Sequence, residues 1–472
     1  MPFNSSEFLV FYLMVFAAGW LVVGFPRLRI WLMLLASYYF YASNNGWIIG
    51  LLLISTQIDY MAGLGIEGSS DPKVRRRYLA LSLVTNLGLL GFFKYANFFA
   101  GSVYDAAAAF GVPVTWETLD IVLPVGISFY TFQSMSYTID VYNGRMKAER
   151  SWYRFAFYVA YFPQLVAGPI VRARHFMHQI YEPPRLTPQA LEGGLQLIFK
   201  GLVKKLVLAD TLAVYVDHAF GNAGTIGGIE AWIGLYAFAF QIYYDFSGYS
   251  DVAIGCARLM GFRLPPNFRR PYAALSITEF WRRWHLSLSY WLRDYVYKPL
   301  GGSRMASKLG VYRNLLVTML LGGLWHGAAW TFILWGALHG GLLVLERALG
   351  WGKLVRDYRE RTWARIWRAF FMFNVLAFTW LPFRADGWDN MVEFAGALGR
   401  NSSAQALTGG LALSAAIIAG GWIYMMAADL IPMRRLALKL PVPVNAAIYA
   451  LGALAMVVFT SRGTTTFIYF AF

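Results

Sequence analysis

Two histidines set in aromatic, charge-poor sequence, His326 and His285, are the side chains of this chain best suited to acid–base chemistry. An imidazole has an ordinary pKa of about 6.5, and burial favours its neutral, basic form. His326 stands in Gly322-Gly-Leu-Trp-His-Gly327, within Asn314–Leu345, a run free of Asp, Glu, Lys and Arg. It follows Asn314 by twelve residues, which is roughly 18 Å and close to mid-bilayer if the helix is continuous. An ionisable group at that depth is a functional candidate. A core histidine bonded to a neighbouring helix fits the same pattern, and both readings stand at this point. The flanking glycines would let another helix, or a substrate chain, approach the backbone. His339, near the far end of the run, is expected at an interface. His175, His178 and His218 lie in charged or Pro-rich sequence and are expected at the surface.

A second group of polar residues follows an apolar run in Tyr243-Tyr-Asp-Phe-Ser-Gly-Tyr-Ser-Asp251. Asp245 and Asp251, with Ser247 and Tyr249, would orient a histidine, bind a cation, or pair with Arg269, Arg270, Arg282 and Arg283. Pairing is the favoured reading, because those arginines need counter-charges. Wound at 100° per residue, Thr278–Lys298 places Glu279, Arg282, Arg283, Arg293 and Asp294 on one arc. Trp281, Trp284, Leu288, Trp291, Leu292 and Tyr295 cover the other, and His285 sits at the edge between them. Such a helix lies at an interface or lines a wet cavity. No P-loop, G-x-S-x-G elbow, H-E-x-x-H or strand-borne G-x-G-x-x-G is present, which disfavours ATP hydrolysis and an embedded metalloprotease. No metal site is expected. The single cysteine, Cys256, excludes an intramolecular disulfide and reads as a packing residue.

The elements that must carry these residues are membrane helices. Of 472 residues, 58% are hydrophobic and only 14% charged, against about 25% charged in a soluble domain. Phe8–Pro26, Ile30–Ile58, Ile121–Ile139, Asn314–Leu345, Asn401–Ala428 and Leu440–Ser461 carry no charged residue. Each approaches or exceeds the ~20 residues needed to cross a bilayer. Backbone groups in hydrocarbon must be satisfied within the segment, so these are helices. The fold class is therefore all-α and polytopic, with about 10–13 membrane helices, some kinked, half-spanning or interfacial. No boundary separates a soluble domain, so residues 1–472 read as one membrane domain. The first run lacks a basic n-region and a cleavage site and reads as a retained helix.

The net charge of +16 is spread among the loops and does not form one block, which argues against nucleic acid. Basic residues at Arg27 and Arg29, Lys73–Arg77 and Arg145–Arg154 alternate with an uncharged turn at Asn44-Asn45-Gly46 and an acidic one at Gly111–Asp120. The positive-inside rule makes the basic loops cytoplasmic and the N-terminus extracytoplasmic. Lys353–Arg368 reads as a charged surface loop or interfacial helix.

Five ordered motifs resemble the membrane-bound O-acyltransferase family, in the bacterial branch of the membrane subunits that acetylate exported polysaccharides. They are Leu123-Pro-Val-Gly-Ile-Ser-Phe-Tyr-Thr-Phe-Gln133, Tyr161-Phe-Pro-Gln-Leu-Val-Ala-Gly-Pro-Ile170, Tyr243–Asp251, Phe280-Trp-Arg-Arg-Trp-His-Leu-Ser-Leu288 and Leu324-Trp-His-Gly-Ala328. The terminal Phe467-Ile-Tyr-Phe-Ala-Phe472 is similar to that branch too. The resemblance implies that His326 is the catalytic histidine, buried near the centre of a tunnel, and that His285 is the second signature histidine. Asp245, Ser247, Tyr249, Trp325, Arg282 and Arg283, which flank them in these motifs, are the expected substrate-binding set. It also implies acetyl-CoA as a cytoplasmic donor with no bound cofactor, and a location in the bacterial inner membrane. The acceptor would be an extracytoplasmic polysaccharide or an SGNH-type partner acetyltransferase. D-alanyl transfer to teichoic acid from a carrier protein is the alternative within the family. A polysaccharide export channel is the alternative outside it; that class predicts an internal repeat, and none is visible.

Overall fold

A computed structural model describes residues 1–43, 46–112, 115, 117–165, 168–351, 362–401, 409–431, 441–460 and 467–468. The Asn44-Asn45 turn, most of the charged Lys353–Arg368 stretch, Val166 and Ala167 of the second motif and the last four residues fall outside that set. Among the described residues every regular element is helical. The chain forms two compact units, Met1–Ile198 with Ser250–Pro265, and Phe199–Tyr249 with Pro266–Phe472.

In the first unit, α1 (Ser6–Leu21), α2 (Pro26–Ala42), α3 (Ile48–Gly68) and α4 (Pro72–Leu90) precede a π-turn, Gly91–Tyr95, that runs on into α5 (Ala96–Ala109). Ser5 caps α1 and Asp71 caps α4, each side chain accepting a backbone N–H of the first turn. Next come α6 (Ile127–Tyr142), α7 (Trp152–Ala160), α8 (Phe162–Leu165), α9 (Ala173–Tyr181) and most of α10 (Pro188–Leu202). Although α6 carries many hydroxyls, nearly all of it is buried. One buried polar cluster joins it to its neighbours: Asp59 of α3 accepts from Ser82 and Asn86 of α4 and from Ser134 of α6. Such a knot fixes three helices together where water cannot reach. Arg29, expected in a loop, is buried and donates to the carbonyls of Gly19 and Met260. Cys256 is buried, as a packing residue should be.

The basic turns of this unit meet one another. Glu67 pairs with Arg150 at 3.4 Å and accepts from the Ala148 amide, Arg75 donates to the Tyr142 carbonyl, and Trp31 stacks on Tyr153 at 5.3 Å. The uncharged and acidic turns have their own contacts. Asn97 brackets the backbone of Leu119, and Trp47 packs on Phe93.

The second unit holds a π-turn, Val203–Ala209, then α11 (Asp210–Gly221) and most of α12 (Gly228–Leu259). It continues with α13 (Ile277–Trp281), α14 (Leu286–Leu292), α15 (Lys308–His326), α16 (Trp330–Ala348), α17 (Thr362–Arg384), α18 (Gly387–Ala397), α19 (Gly409–Leu430) and α20 (Val442–Thr460). Its core is aromatic: Trp284, Trp335, Trp380, Tyr272 and Phe280 pack together fully buried.

Five described helices are long and apolar enough to cross a membrane: Ile48–Gly68, Pro72–Ala109, Thr362–Arg384, Gly410–Leu430 and Val442–Thr460. The last has a mean hydropathy of 2.0 and no buried residue, as expected of a helix that faces lipid. With the many apolar runs between them, these make an all-α, multi-pass membrane protein. Other hydrophobic runs are broken into shorter pieces. Ile30–Ile58 divides between α2 and α3, and Ile121–Ile139 becomes helical only after Pro124 and a left-handed Gly126 at φ 79°. The condition of a continuous helix over Asn314–Leu345 is not met, because the run folds as a hairpin.

Candidate active site

The chain reaches His326 at the last residue of α15 and leaves the helix at Gly327, which is extended. It re-enters a helix at Trp330, after an extended Ala329. The depth inferred from an uninterrupted helix therefore does not apply. His326 stands at a helix end inside a tight turn. Glycines bring α15 and α16 together: a Cβ on Gly323 would strike the Phe332 carbonyl oxygen and lie 3.1 Å from Gly336 Cα. A Cβ on Gly336 would strike the Met319 carbonyl oxygen and lie 3.1 Å from Leu320 Cα. Only backbones without side chains can pack this closely, which is the service expected of these small residues.

Three rings meet the His326 imidazole edge-on, with centroids at 5.0 Å for Trp325, 5.0 Å for Trp335 and 5.1 Å for Phe383. Of the three buried histidines, His326 alone keeps exposed surface, 3% against none for His285 and His339.

His285 occupies the N-cap of α14 in a left-handed conformation, φ 39° and ψ 57°. Only Arg270 shares a positive φ among the described non-glycine residues. Such a conformation costs about 1–3 kcal/mol and must be held by its surroundings. The His285 ring contacts Phe246 at 4.6 Å and Trp325 at 5.9 Å. Trp325 thus touches both imidazoles. His285 lies in none of the five spanning helices, and burial pushes its imidazole down to about 3, so the ring is neutral at physiological pH.

The single amphipathic helix expected over Thr278–Lys298 is broken at this point into α13, a turn, α14 and a π-turn, Arg293–Tyr297. The apolar arc nevertheless describes the burial well: Trp284, Leu288, Trp291 and Leu292 are all buried. His339, expected at an interface, is also fully buried, packed against Trp335 at 4.7 Å and Trp281 at 5.2 Å. Hydropathy alone could not distinguish a run crossing the membrane from one folded back on itself. His175, His178 and His218 are exposed, as expected.

Asp245 pairs with a lysine, and not with the arginines. Lys205 Nζ lies 2.8 Å from Oδ1 of Asp245 and 2.8 Å from Oδ1 of Asp210, all three buried. Asp245 Oδ2 also accepts the backbone N–H of Ile468 at 2.7 Å. Tyr249 packs on Phe467 at 4.2 Å, and Ser247 accepts from Lys204 at 3.1 Å. Arg283 finds its counter-charges in Glu279 at 2.6 Å and Asp429 at 2.9 Å, and Asp429 also binds Arg365. Arg282 is exposed, and Asp251 half-buried.

The fold thus gathers His285, Trp325 and His326 directly, and joins α12 to them through Phe246. Asp245, Ser247 and Tyr249 form an adjoining cluster on that helix, while Arg283 is engaged by Glu279 and Asp429 and Arg282 is exposed. Sequence reasoning missed Lys205, Asp210 and Asp429. The one available signal was a lysine pair, Lys204-Lys205, set inside the apolar stretch Gly201–Ala209. Among the described residues no three His, Cys, Asp or Glu side chains converge on a possible metal position.

Comparison with known proteins bears on this arrangement. A model of the membrane-bound O-acyltransferase family matches residues 150–384, a span that contains His285, Trp325 and His326. The chain is 44% identical over 391 residues to the "Probable alginate O-acetylase AlgI" of Azotobacter vinelandii, covering 82% of this chain and 76% of that one. It is 36% identical over 428 residues to the peptidoglycan O-acetyltransferase of Helicobacter pylori, covering 83% and 78%. It is 30% identical over 281 residues to the teichoic acid D-alanyltransferase of Streptococcus thermophilus, covering 55% and 68%.

Proposed function

The chain belongs to the membrane-bound O-acyltransferase family, and from that premise we propose that this O-acyltransferase moves acetyl groups from cytoplasmic acetyl-CoA to an extracytoplasmic acceptor. The acceptor is an exported polysaccharide, or an SGNH-type partner that completes the transfer to it. His326 is the general base. Its neutral imidazole takes the proton of the acceptor hydroxyl as that oxygen attacks the thioester carbonyl. An ester forms, the C–S bond breaks, and the imidazolium returns its proton to the departing thiolate. Positioned base catalysis of this kind contributes about 10²–10⁴-fold.

One observation carries the proposal: two imidazoles share the ring of Trp325, and the one at the helix end retains exposed surface. Burial of the pair in aromatic side chains keeps bulk water from hydrolysing the thioester. His285 is the second active-site residue. Asp245, Ser247 and Tyr249 shape the acceptor side, together with Trp325. Of the two expected arginines, the exposed Arg282 supplies positive potential toward the phosphates of the donor, whereas Arg283 is neutralised by Glu279 and Asp429. The protein lies in the bacterial inner membrane with its N-terminus outside, a reading supported by the mutual contacts of the basic turns.

Inverted membrane vesicles supplied with acetyl-labelled CoA test this directly. Label should appear as alkali-labile ester, and only in vesicles that contain the protein. Transfer from a D-alanyl carrier protein, with none from acetyl-CoA, would replace the proposal with the D-alanyl reading that the Streptococcus relative raises.

A further inference from the structure

His285 stands where a helix normally spends a polar side chain. The N-cap residue usually turns its side-chain oxygen back onto the first free N–H groups of its own helix. His285 makes no such bond; its ring faces Phe246 and Trp325 instead. The N–H groups it leaves open are taken from another segment. Asn267 accepts the Leu286 N–H with its backbone carbonyl at 2.9 Å, and the Ser287 N–H with its side-chain Oδ1 at 3.3 Å. Asn267 is itself 1% exposed.

The brace extends along the chain. Arg269 N–H donates to the Arg283 carbonyl at 2.8 Å, so residues 267–269 run antiparallel to the turn that ends in His285. Phe268 packs on Trp284 at 5.0 Å and on Phe246 at 5.1 Å, and Phe246 is the ring that lies against His285. At the far end Arg270 takes the other positive φ, its carbonyl accepting from Arg283. Both strained residues are therefore bound into one pairing.

We propose that Asn267 is a positioning residue for the reaction: by capping α14 from outside, it holds the left-handed turn that sets the His285 imidazole against Phe246 and Trp325. The inference rests on the reading of His285 as an active-site residue. Asn267→Asp keeps the accepting oxygen, whereas Asn267→Gln displaces it by a methylene and Asn267→Ala removes it.

The test measures acetyl ester on exported polysaccharide per unit of accumulated protein, with each variant made in wild-type and His285→Ala backgrounds. Asn267→Ala and Asn267→Gln should lower acetylation by about 10- to 100-fold, the scale of a small misplacement of a catalytic group. Asn267→Asp should stay within about threefold of wild type, because the Ser287 N–H keeps its side-chain acceptor. In the His285→Ala background, Asn267→Ala and Asn267→Gln should cause little further loss, since residues acting through one another are not additive. Equal activity of the Asp and Gln variants, or an undiminished loss in the His285→Ala background, would overturn the positioning role. If Asn267→Ala does not accumulate, the Asp–Gln contrast decides alone. Full activity of His285→Ala itself would instead refute the underlying reading of His285.

Discussion

Replacing Gly336 by alanine tests whether the α15–α16 hairpin sets the position of His326. Alanine is normally the better helix residue, by about 1 kcal/mol. Gly341 lies five residues further along the same helix, and a Cβ there meets nothing within 4 Å. Gly341→Ala should therefore hold or raise stability by up to that amount. At Gly336 the new methyl would strike the Met319 carbonyl oxygen and come within 3.1 Å of Leu320 Cα and the Met319 carbonyl carbon. These are backbone atoms, and no rotamer change can move them aside. Overpacking of this kind costs about 1–3 kcal/mol, so the net effect should be a loss of up to about 2 kcal/mol after the helix-propensity gain. Activity should fall further than stability. The hairpin must part, α15 carries His326 with it, and a 1 Å misplacement of a reacting group costs about 10²-fold. Thermal unfolding in detergent reports the first effect; polymer acetylation per unit of accumulated protein reports the second. Equal acetylation by Gly336→Ala and Gly341→Ala would refute the reasoning.

Lys205→Met should be the most damaging change in the adjoining cluster, by about 3–5 kcal/mol, because it leaves Asp210 and Asp245 buried together without their lysine. Asp245→Asn leaves Lys205 paired with Asp210 and should cost clearly less; thermal unfolding in detergent ranks the two. His285→Ala should lower polymer acetylation without reducing protein accumulation, and unchanged acetylation would remove His285 from the site. For orientation, Arg76→Cys and Leu119→Cys occupy exposed positions, and the natural Cys256 is buried. An impermeant thiol reagent added to intact spheroplasts should label Leu119→Cys and spare Arg76→Cys. The reverse pattern would invert the topology.

The sequence was most informative where chemistry and burial coincide. Charge-free runs gave the helical, multi-pass class, because backbone amides in lipid leave no other choice. The alternation of tryptophans around Trp284 anticipated which residues are buried even though the helix itself is interrupted. What escaped was long-range pairing. Asp245 pairs with Lys205, 40 residues away, and Arg283 adds Asp429, 146 residues away, to its local partner Glu279; nothing in the local sequence selects either distant partner. The breaks at His285 and Gly327 escaped as well. A left-handed histidine is held by Asn267 from another segment, and a hydropathy window reads straight across Gly327-Ala328-Ala329.

Acetyl analysis of the exported polysaccharide from cells carrying His326→Ala tests the central claim most directly. The variant should accumulate in the membrane, since His326 sits at a helix end, while ester-linked acetyl falls to the level of cells lacking the protein. Wild-type acetyl content at equal accumulation would contradict the account.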